Sequence, residues 1–242
     1  MRRLDNAMVE TGLCDTRSRA ARAVKAGLVK VNGKVIKKAG YELKENDRIE
    51  LEADEYSPLA FVSRSGLKLH HALKEFEINV NGKKCLDAGA STGGFTECLL
   101  RNGAAAVDAV DVGSGQLHYS LDEDPRVKNA EKTDIREYTP GKKFDVVCAD
   151  LSFISLVKVF PALKGFCAPE SDMIVLVKPQ FEAGKGKVKK GVLKNEKTIK
   201  KALETVLAGA KENGFKIIKV IDSPILGTEG NREFLAHMKC AE

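Results

Sequence analysis

The stretch KKCLDAGASTGGFTECLLRNG, residues 83–103, decides the fold of the chain. It reads as a strand ending at Asp87, a loop with Gly89, Ala90, Ser91, Gly93 and Gly94, and an amphipathic helix opening near Phe95 or Thr96. Glycines remove the Cβ atoms that would keep a ligand off the backbone, and a helix start offers free N–H groups to a carboxylate or phosphate. A nucleotide-type loop is the reading. Neither the dinucleotide spacing G-x-G-x-x-G nor the P-loop ending G-K-[ST] is present, which disfavours NAD and nucleoside triphosphates. In the next strand, Asp111 stands 24 positions beyond Asp87, near where an acidic residue takes ribose hydroxyls, with Asp108 the weaker candidate. Asp134, in EKTDIREY after a short strand, can meet an adenine amino group or simply cap a turn.

Outward from the loop, strands alternate with helical stretches. Strands are expected near 83–88, 106–111, 144–149, 173–178, 215–221 and 233–239, and an apolar stripe of Leu69, Leu73 and Phe76 predicts a helix from Ser65. Such alternation implies an α/β fold with a mostly parallel sheet covered on both faces. Two of these strands end in polar residues where open α/β sheets place their sites: KFDVVCAD in Asp150 and MIVLVK in Lys178. Either could be a cap taken singly; both at one edge suggest catalysis as strongly.

The front of the chain is different. Asp15 or Thr16 can cap a helix through SRAARAVKAGL, Gly27 can end it, and Val29–Val35 alternates around an Asn32-Gly33 turn. A short strand, DRIELE, closes the segment at about residue 52. These 52 residues hold twelve basic and eight acidic side chains, so +4 of the net +6 lies here. Arg17, Arg19, Arg22 and Lys25 fall at helical spacing suited to RNA phosphates, or to a merely solvated face. Residues 53–64, with Pro58, lack periodicity and read as a linker, leaving 65–242 as the second domain.

With 242 residues, 43% hydrophobic and 31% charged, the chain has the makings of two ordinary globular domains. Its six cysteines have neither zinc-knuckle spacing nor a disulfide array, and we expect them reduced and structural, with no metal. No secretory signal or membrane span is expected, so we anticipate a cytoplasmic protein. That disfavours a pore-forming function.

The first 52 residues resemble the S-four-like RNA-binding module, which raises RNA binding above the solvated-face alternative. Taken together, VSRSGLKL, LDAGASTGGFTECLL, DVGSGQL, ADLSFISL, LVKPQFEAGKG and SPILGTEGNREFL resemble the TlyA family of rRNA 2′-O-methyltransferases, often named haemolysins. Their catalytic domain is similar to the FtsJ-type RNA ribose methyltransferases. The resemblance implies a Rossmann-like class I methyltransferase domain, S-adenosylmethionine as cofactor and ribosomal RNA or ribosomal subunits as partner. It also implies methylation of a cytidine ribose 2′-hydroxyl.

By motif, the FtsJ-type tetrad falls on Lys68, Asp150, Lys178 and Glu233, with Glu229 the rival for the last place. The family often has glycine where this chain has Ser65, close to Lys68. These residue types suit the chemistry, because a ribose hydroxyl is a very weak acid and must be oriented and relieved of its proton during in-line attack. Lys178 is expected to contact that hydroxyl, as base or as orienting donor.

After Lys178, residues 184–201 carry eight lysines and one acid, and Lys185 and Lys187 are candidates for RNA contact. Phe153 and Phe181 can stack on a flipped base, but core packing is the safer expectation for both. The alternatives are a non-catalytic RNA-binding assembly factor and, remotely, a cytolysin. A monomer is slightly favoured.

Overall fold

The structure, a computed structural model, describes residues 2–52, 57, 59–184, 188 and 191–240. The chain divides into two compact units, Met1–Arg64 and Ser65–Glu242.

In the first unit, β1 (Arg2–Arg3) leads into α1 (Leu4–Glu10) and α2 (Arg17–Ala26), followed by β2 (Val29–Val31), β3 (Lys34–Val35), β4 (Glu42–Leu43) and β5 (Ile49–Leu51). Of the two capping candidates it is Thr16 that caps α2, its side chain accepting from Arg19 N, and Gly27 ends the helix in the left-handed region. Leu4, Met8, Ala20, Ala23, Val24 and Val29 fill the core between α1, α2 and the three-stranded sheet β3-β2-β5. Asn32 and Gly33 both take positive φ, the geometry of a tight hairpin turn.

Of the stretch 53–64 read as a linker, residues 53–56 and 58 lie outside the described residues. Leu59 is 5% exposed within this core. Arg19 donates to Leu59 O at 2.6 Å, and Arg22 donates to Phe61 O at 3.4 Å. Two of the four basic side chains read as an RNA face on α2 are therefore partly buried and already engaged; Arg17 and Lys25 are exposed, with Arg17 donating to Asp5 Oδ2 at 3.3 Å. Burial lowers the Arg22 pKa, with Arg19 and Arg64 adding to the effect.

The second unit opens with α3 (Ser65–Glu75) and continues through β6 (Lys84–Ala88), α4 (Gly94–Arg101), β7 (Ala106–Val110), α5 (Tyr119–Asp122), β8 (Val127–Ala130) and β9 (Phe144–Ala149). It ends with α6 (Phe160–Phe166), β10 (Cys167–Val177), α7 (Pro179–Glu182), α8 (Glu196–Glu212), β11 (Phe215–Asp222) and β12 (Phe234–Cys240). The sheet runs β11-β12-β10-β9-β6-β7-β8. Strands β10, β9, β6, β7 and β8 are mutually parallel, and β12 runs antiparallel to both neighbours. The α/β, mostly parallel architecture is as the alternation implied.

Two details depart from the sequence reading. The strand expected from 173 begins at Cys167, and its pairing with β9 shifts register between Cys167 and Asp172, where Pro169 lacks an N–H to donate. The last strand is reversed, which places its first residue at the edge where β9 and β10 finish. Cys85 and Cys148 lie fully buried on β6 and β9, and all six cysteines are free.

Strand order reverses between β6 and β9, since the chain goes from β6 outward to β7 and β8 and then returns to β9. In open α/β sheets the crevice beyond the strand ends at such a switch point is where ligands bind.

Candidate active site

A cleft of about 390 Å³ opens at that switch point, lined among others by Gly89, Ser91, Asp111, Asp134, Asp150 and Phe153. Of the residues expected to hold a cofactor, the structure brings Gly89, Ser91, Asp111 and Asp134 to the cleft. Asp87, Ala90, Gly94 and Phe95 are buried beneath it, and Gly93 packs towards Leu117 and Leu121 instead. Gln116 and Thr133 also line it; neither was singled out as a cofactor residue, although Gln116 stands in DVGSGQL.

The loop is held by carboxylates. Asp111 accepts from Ser91 N at 2.9 Å and from Gly113 N at 2.7 Å, which ties the turn after β6 to the turn after β7. Asp108, the weaker candidate, is 1% exposed and takes Tyr138 Oη at 2.6 Å and Lys142 Nζ at 2.8 Å, away from the cleft. Asp134 pairs with Arg136, whose guanidinium holds its carboxyl down at about 2. A carboxylate has about four acceptor positions, so this pairing leaves room for a ligand amino group.

Asp87 lies fully buried, with Oδ2 accepting from Thr96 Oγ1 at 2.7 Å and Oδ1 without a hydrogen-bond partner. Burial pushes its carboxyl up to about 7; the Thr96 hydroxyl opposes this, and the charges on Asp150 and Asp111 add to it. Asp87, Asp111 and Asp150 together make an environment for a cation and a poor one for phosphates.

The titration of Asp87 has a consequence for stability. The folded-state pKa lies above the unfolded one, so the folded form holds the proton more tightly. Its stabilising contribution is complete below pH ~4 and is lost as the pH rises to about 7. The effect is on the order of 4 kcal/mol. Asp87→Asn is expected to flatten the thermal midpoint against pH between 4 and 7. An unchanged slope in the variant would show that another group carries it.

Gly89 shows why the loop needs a glycine. Its φ is +85°, and a Cβ there would lie 2.7 Å from the carbonyl oxygen of Asp150, a backbone atom that cannot move aside. The ends of β6 and β9 approach each other through that missing side chain. Gly89→Ala is expected to destabilise the second unit by about 1–3 kcal/mol, the cost of overpacking a close approach, read as a lower denaturant midpoint. An unchanged midpoint would show that the two strand ends can part without strain.

Beside the cleft, two lysine–carboxylate pairs meet at one sheet edge. Lys178, directly after β10, has Nζ 2.7 Å from Asp150 Oδ1 and donates to Ser152 Oγ at 2.8 Å. Lys68, on α3, donates to Glu233 Oε2 at 2.6 Å, and both are almost wholly buried. Val177 and Phe234 are paired in register, so Lys178 and Glu233 flank the last pair of neighbouring antiparallel strands. All four tetrad positions thus belong to the second unit. Glu229, the rival, is exposed.

Sequence reasoning missed Gly227. A Cβ there would stand 2.4 Å from Glu233 Oε1, so the glycine lets the carboxylate reach Lys68. The signal was its place in SPILGTEGNREFL, six residues before the predicted strand that starts at 233.

The aromatic expectation is overturned at Phe153. Its ring is 91% exposed and its φ is +64°, unusual for a bulky side chain and characteristic of functional sites rather than cores. Phe181 is half-buried, with ring centroids 5.1 Å apart at 51°. Lys178 Nζ lies 6.0 Å from the Phe181 centroid. Lys185 and Lys187 fall outside the described residues.

Comparison with known proteins agrees with this geometry. Residues 61–240 match the FtsJ-like methyltransferase family and residues 2–49 the S4 domain. The 16S/23S rRNA (cytidine-2′-O)-methyltransferase TlyA of Mycobacterium tuberculosis is 43% identical over 98% of this chain and 89% of its own length. Hemolysin A of Brachyspira hyodysenteriae is 39% identical over 97% of this chain and 98% of its own. The solved structure of a Streptococcus thermophilus protein superposes with a TM-score of 0.78 at 39% identity, covering all of this chain and 89% of the other.

Proposed function

The chain belongs to the TlyA family, with an FtsJ-like methyltransferase domain behind an S4 domain, and from that membership we propose that it methylates ribosomal RNA at a cytidine ribose 2′-hydroxyl, using S-adenosylmethionine. The observation that carries the chemistry is the meeting of Lys178–Asp150 and Lys68–Glu233 at one sheet edge, next to a carboxylate-lined cleft. The reaction for which the Mycobacterium tuberculosis relative is named supplies the acceptor.

The residues fit the cofactor. The Gly89 cradle lets an adenosine lie against the backbone, Asp111 faces a ribose and Asp134 an adenine amino group. Asp87, buried beneath the loop, would add negative potential suited to a sulfonium in its ionised form, which burial delays to about pH 7. S-adenosylmethionine supplies, when bound, a methyl group on an already activated leaving group.

Lys178 contacts the acceptor hydroxyl. Asp150 and Ser152 fix the direction of its amine, and pre-orientation of this kind can be worth several kcal/mol of a barrier. Proton transfer to a positioned side chain contributes ~100- to 10,000-fold more. Lys68, held by Glu233, keeps a second positive charge at the same edge. Phe153 presents an exposed ring where an unstacked base can be received, and Phe181 lies against it. The S4 unit adds affinity for the RNA backbone through Arg17 and Lys25, and Lys185 and Lys187 extend this reach. Work on ribosomal RNA puts the protein in the cytoplasm.

The direct test is transfer of labelled methyl from S-adenosylmethionine to ribosomal subunits that lack the modification. Label at a ribose 2′-oxygen of a cytidine is the expected product. No transfer despite measured cofactor binding would favour the non-catalytic assembly factor. A lytic role rests on the name of the Brachyspira relative. Among the described residues no helix is long and apolar enough to cross a membrane.

A further inference from the structure

We propose that Glu182 is a positioning residue that fixes the Asp150–Phe153 loop against the Lys178 helix, and so sets the platform on which the target nucleotide is received. The inference rests on the function proposed above for this site.

Asp150 and Lys178 end neighbouring parallel strands, but beyond them the two chains part. One becomes the loop 150–155, with Ser152 and Phe153. The other becomes α7, a single turn that starts after Lys178 and finishes at Glu182. Phe153 stands almost fully exposed with a left-handed backbone, so its own packing does not hold it there. Something else must keep the loop in that conformation.

Glu182 does so with both carboxylate oxygens. Ser155 Oγ donates to Oε2 at 2.6 Å, and Leu156 N donates to Oε1 at 2.9 Å. Leu156 is 2% exposed and rooted in the core of the second unit, and Ser155 Oγ also accepts from Val157 N to cap the next turn. The carboxylate thus ties the end of the loop, where it re-enters the core, to the end of α7. Burial raises the Glu182 pKa, a cost that these two hydrogen bonds offset. With both chains pinned, the Phe153 and Phe181 rings stay in contact and Ser152 stays within reach of the Lys178 amine.

The chain contains no tryptophan, so Phe153→Trp gives a single fluorescent reporter in the loop. In this background, Glu182→Ala is expected to raise the amplitude of fast anisotropy decay at least ~2-fold, the sign of a loop freed on the nanosecond timescale. On the otherwise natural chain, Glu182→Ala is expected to lower kcat about 30-fold through loss of acceptor positioning, and to raise KM for S-adenosylmethionine as well, because residues 150–154 also line the cleft. Glu182→Gln keeps an acceptor for Leu156 N and can donate to Ser155 Oγ, and it should bring both readouts back to within ~3-fold of the parent. A Glu182→Ala loop as ordered as its parent would overturn the proposal, as would a Glu182→Gln variant no better than Glu182→Ala. If the unsubstituted protein transfers no methyl at all, the functional reading falls and the anisotropy alone decides whether Glu182 holds the loop.

Discussion

Lys178→Ala is expected to lower methyl transfer to ribosomal RNA by about 1,000-fold while S-adenosylmethionine affinity stays within a few-fold, the range expected for loss of a positioned proton-transfer group. The lysine sits outside the glycine loop, with its amine on Asp150 and Ser152, so its removal should leave the walls of the cleft formed by Gly89, Ser91 and Asp111 unchanged. Single-turnover measurement on unmodified subunits separates this loss from product release. A second substitution divides the two roles open to Lys178. Arginine keeps a positive donor but does not give up its proton at neutral pH. If Lys178→Arg retains a tenth or more of the activity, the lysine orients the hydroxyl; if it matches the alanine variant, the lysine takes the proton. Full activity in Lys178→Ala would remove this edge of the sheet from the reaction.

How much of this could be read from the sequence differs by the kind of constraint. The glycine loop was legible because strand, turn and helix follow one another within 21 residues and leave a local pattern. Asp111 was legible for the same reason, one strand further on. The tetrad was only half legible from the residues themselves: Asp150 and Lys178 each close an aliphatic run, but nothing periodic connects Lys68 to Glu233, which meet across 165 residues. The family resemblance supplied that pair, and the reversed direction of β12 is the physical reason it can form. The roles of Ser152, Glu182 and Gly227 lie in single hydrogen bonds or one close approach between distant segments, which hydrophobic patterning does not encode. The arginines of α2 mark the opposite limit. Their spacing describes an exposed basic face, yet tertiary structure has drawn Arg19 and Arg22 onto the carbonyls of Leu59 and Phe61. Phe153 shows the same limit, since apolar character argues for burial and the left-handed backbone that exposes the ring is invisible in composition.

Breaking the Lys68–Glu233 pair from one side is expected to be the most destabilising polar substitution in the second unit. Glu233→Ala leaves an almost fully buried ammonium without its carboxylate, and an uncompensated charge of this kind costs about 3–5 kcal/mol. Removing both charges is a different matter, because desolvation consumes most of what a buried pair gains, and an apolar pair of similar volume is often as stable. The double variant Lys68→Met, Glu233→Leu should therefore regain most of the stability lost in Glu233→Ala, as read from denaturant unfolding of the full chain. Its methyl transfer should be no higher than that of the single variant, because Glu233→Ala leaves the Lys68 charge without the carboxylate that places it and the double variant removes that charge altogether. That split distinguishes a pair kept for chemistry from one kept for the fold. If activity returned together with stability, Lys68 and Glu233 would be a structural strut between α3 and β12, and the chemistry would rest on Lys178 and Asp150 alone.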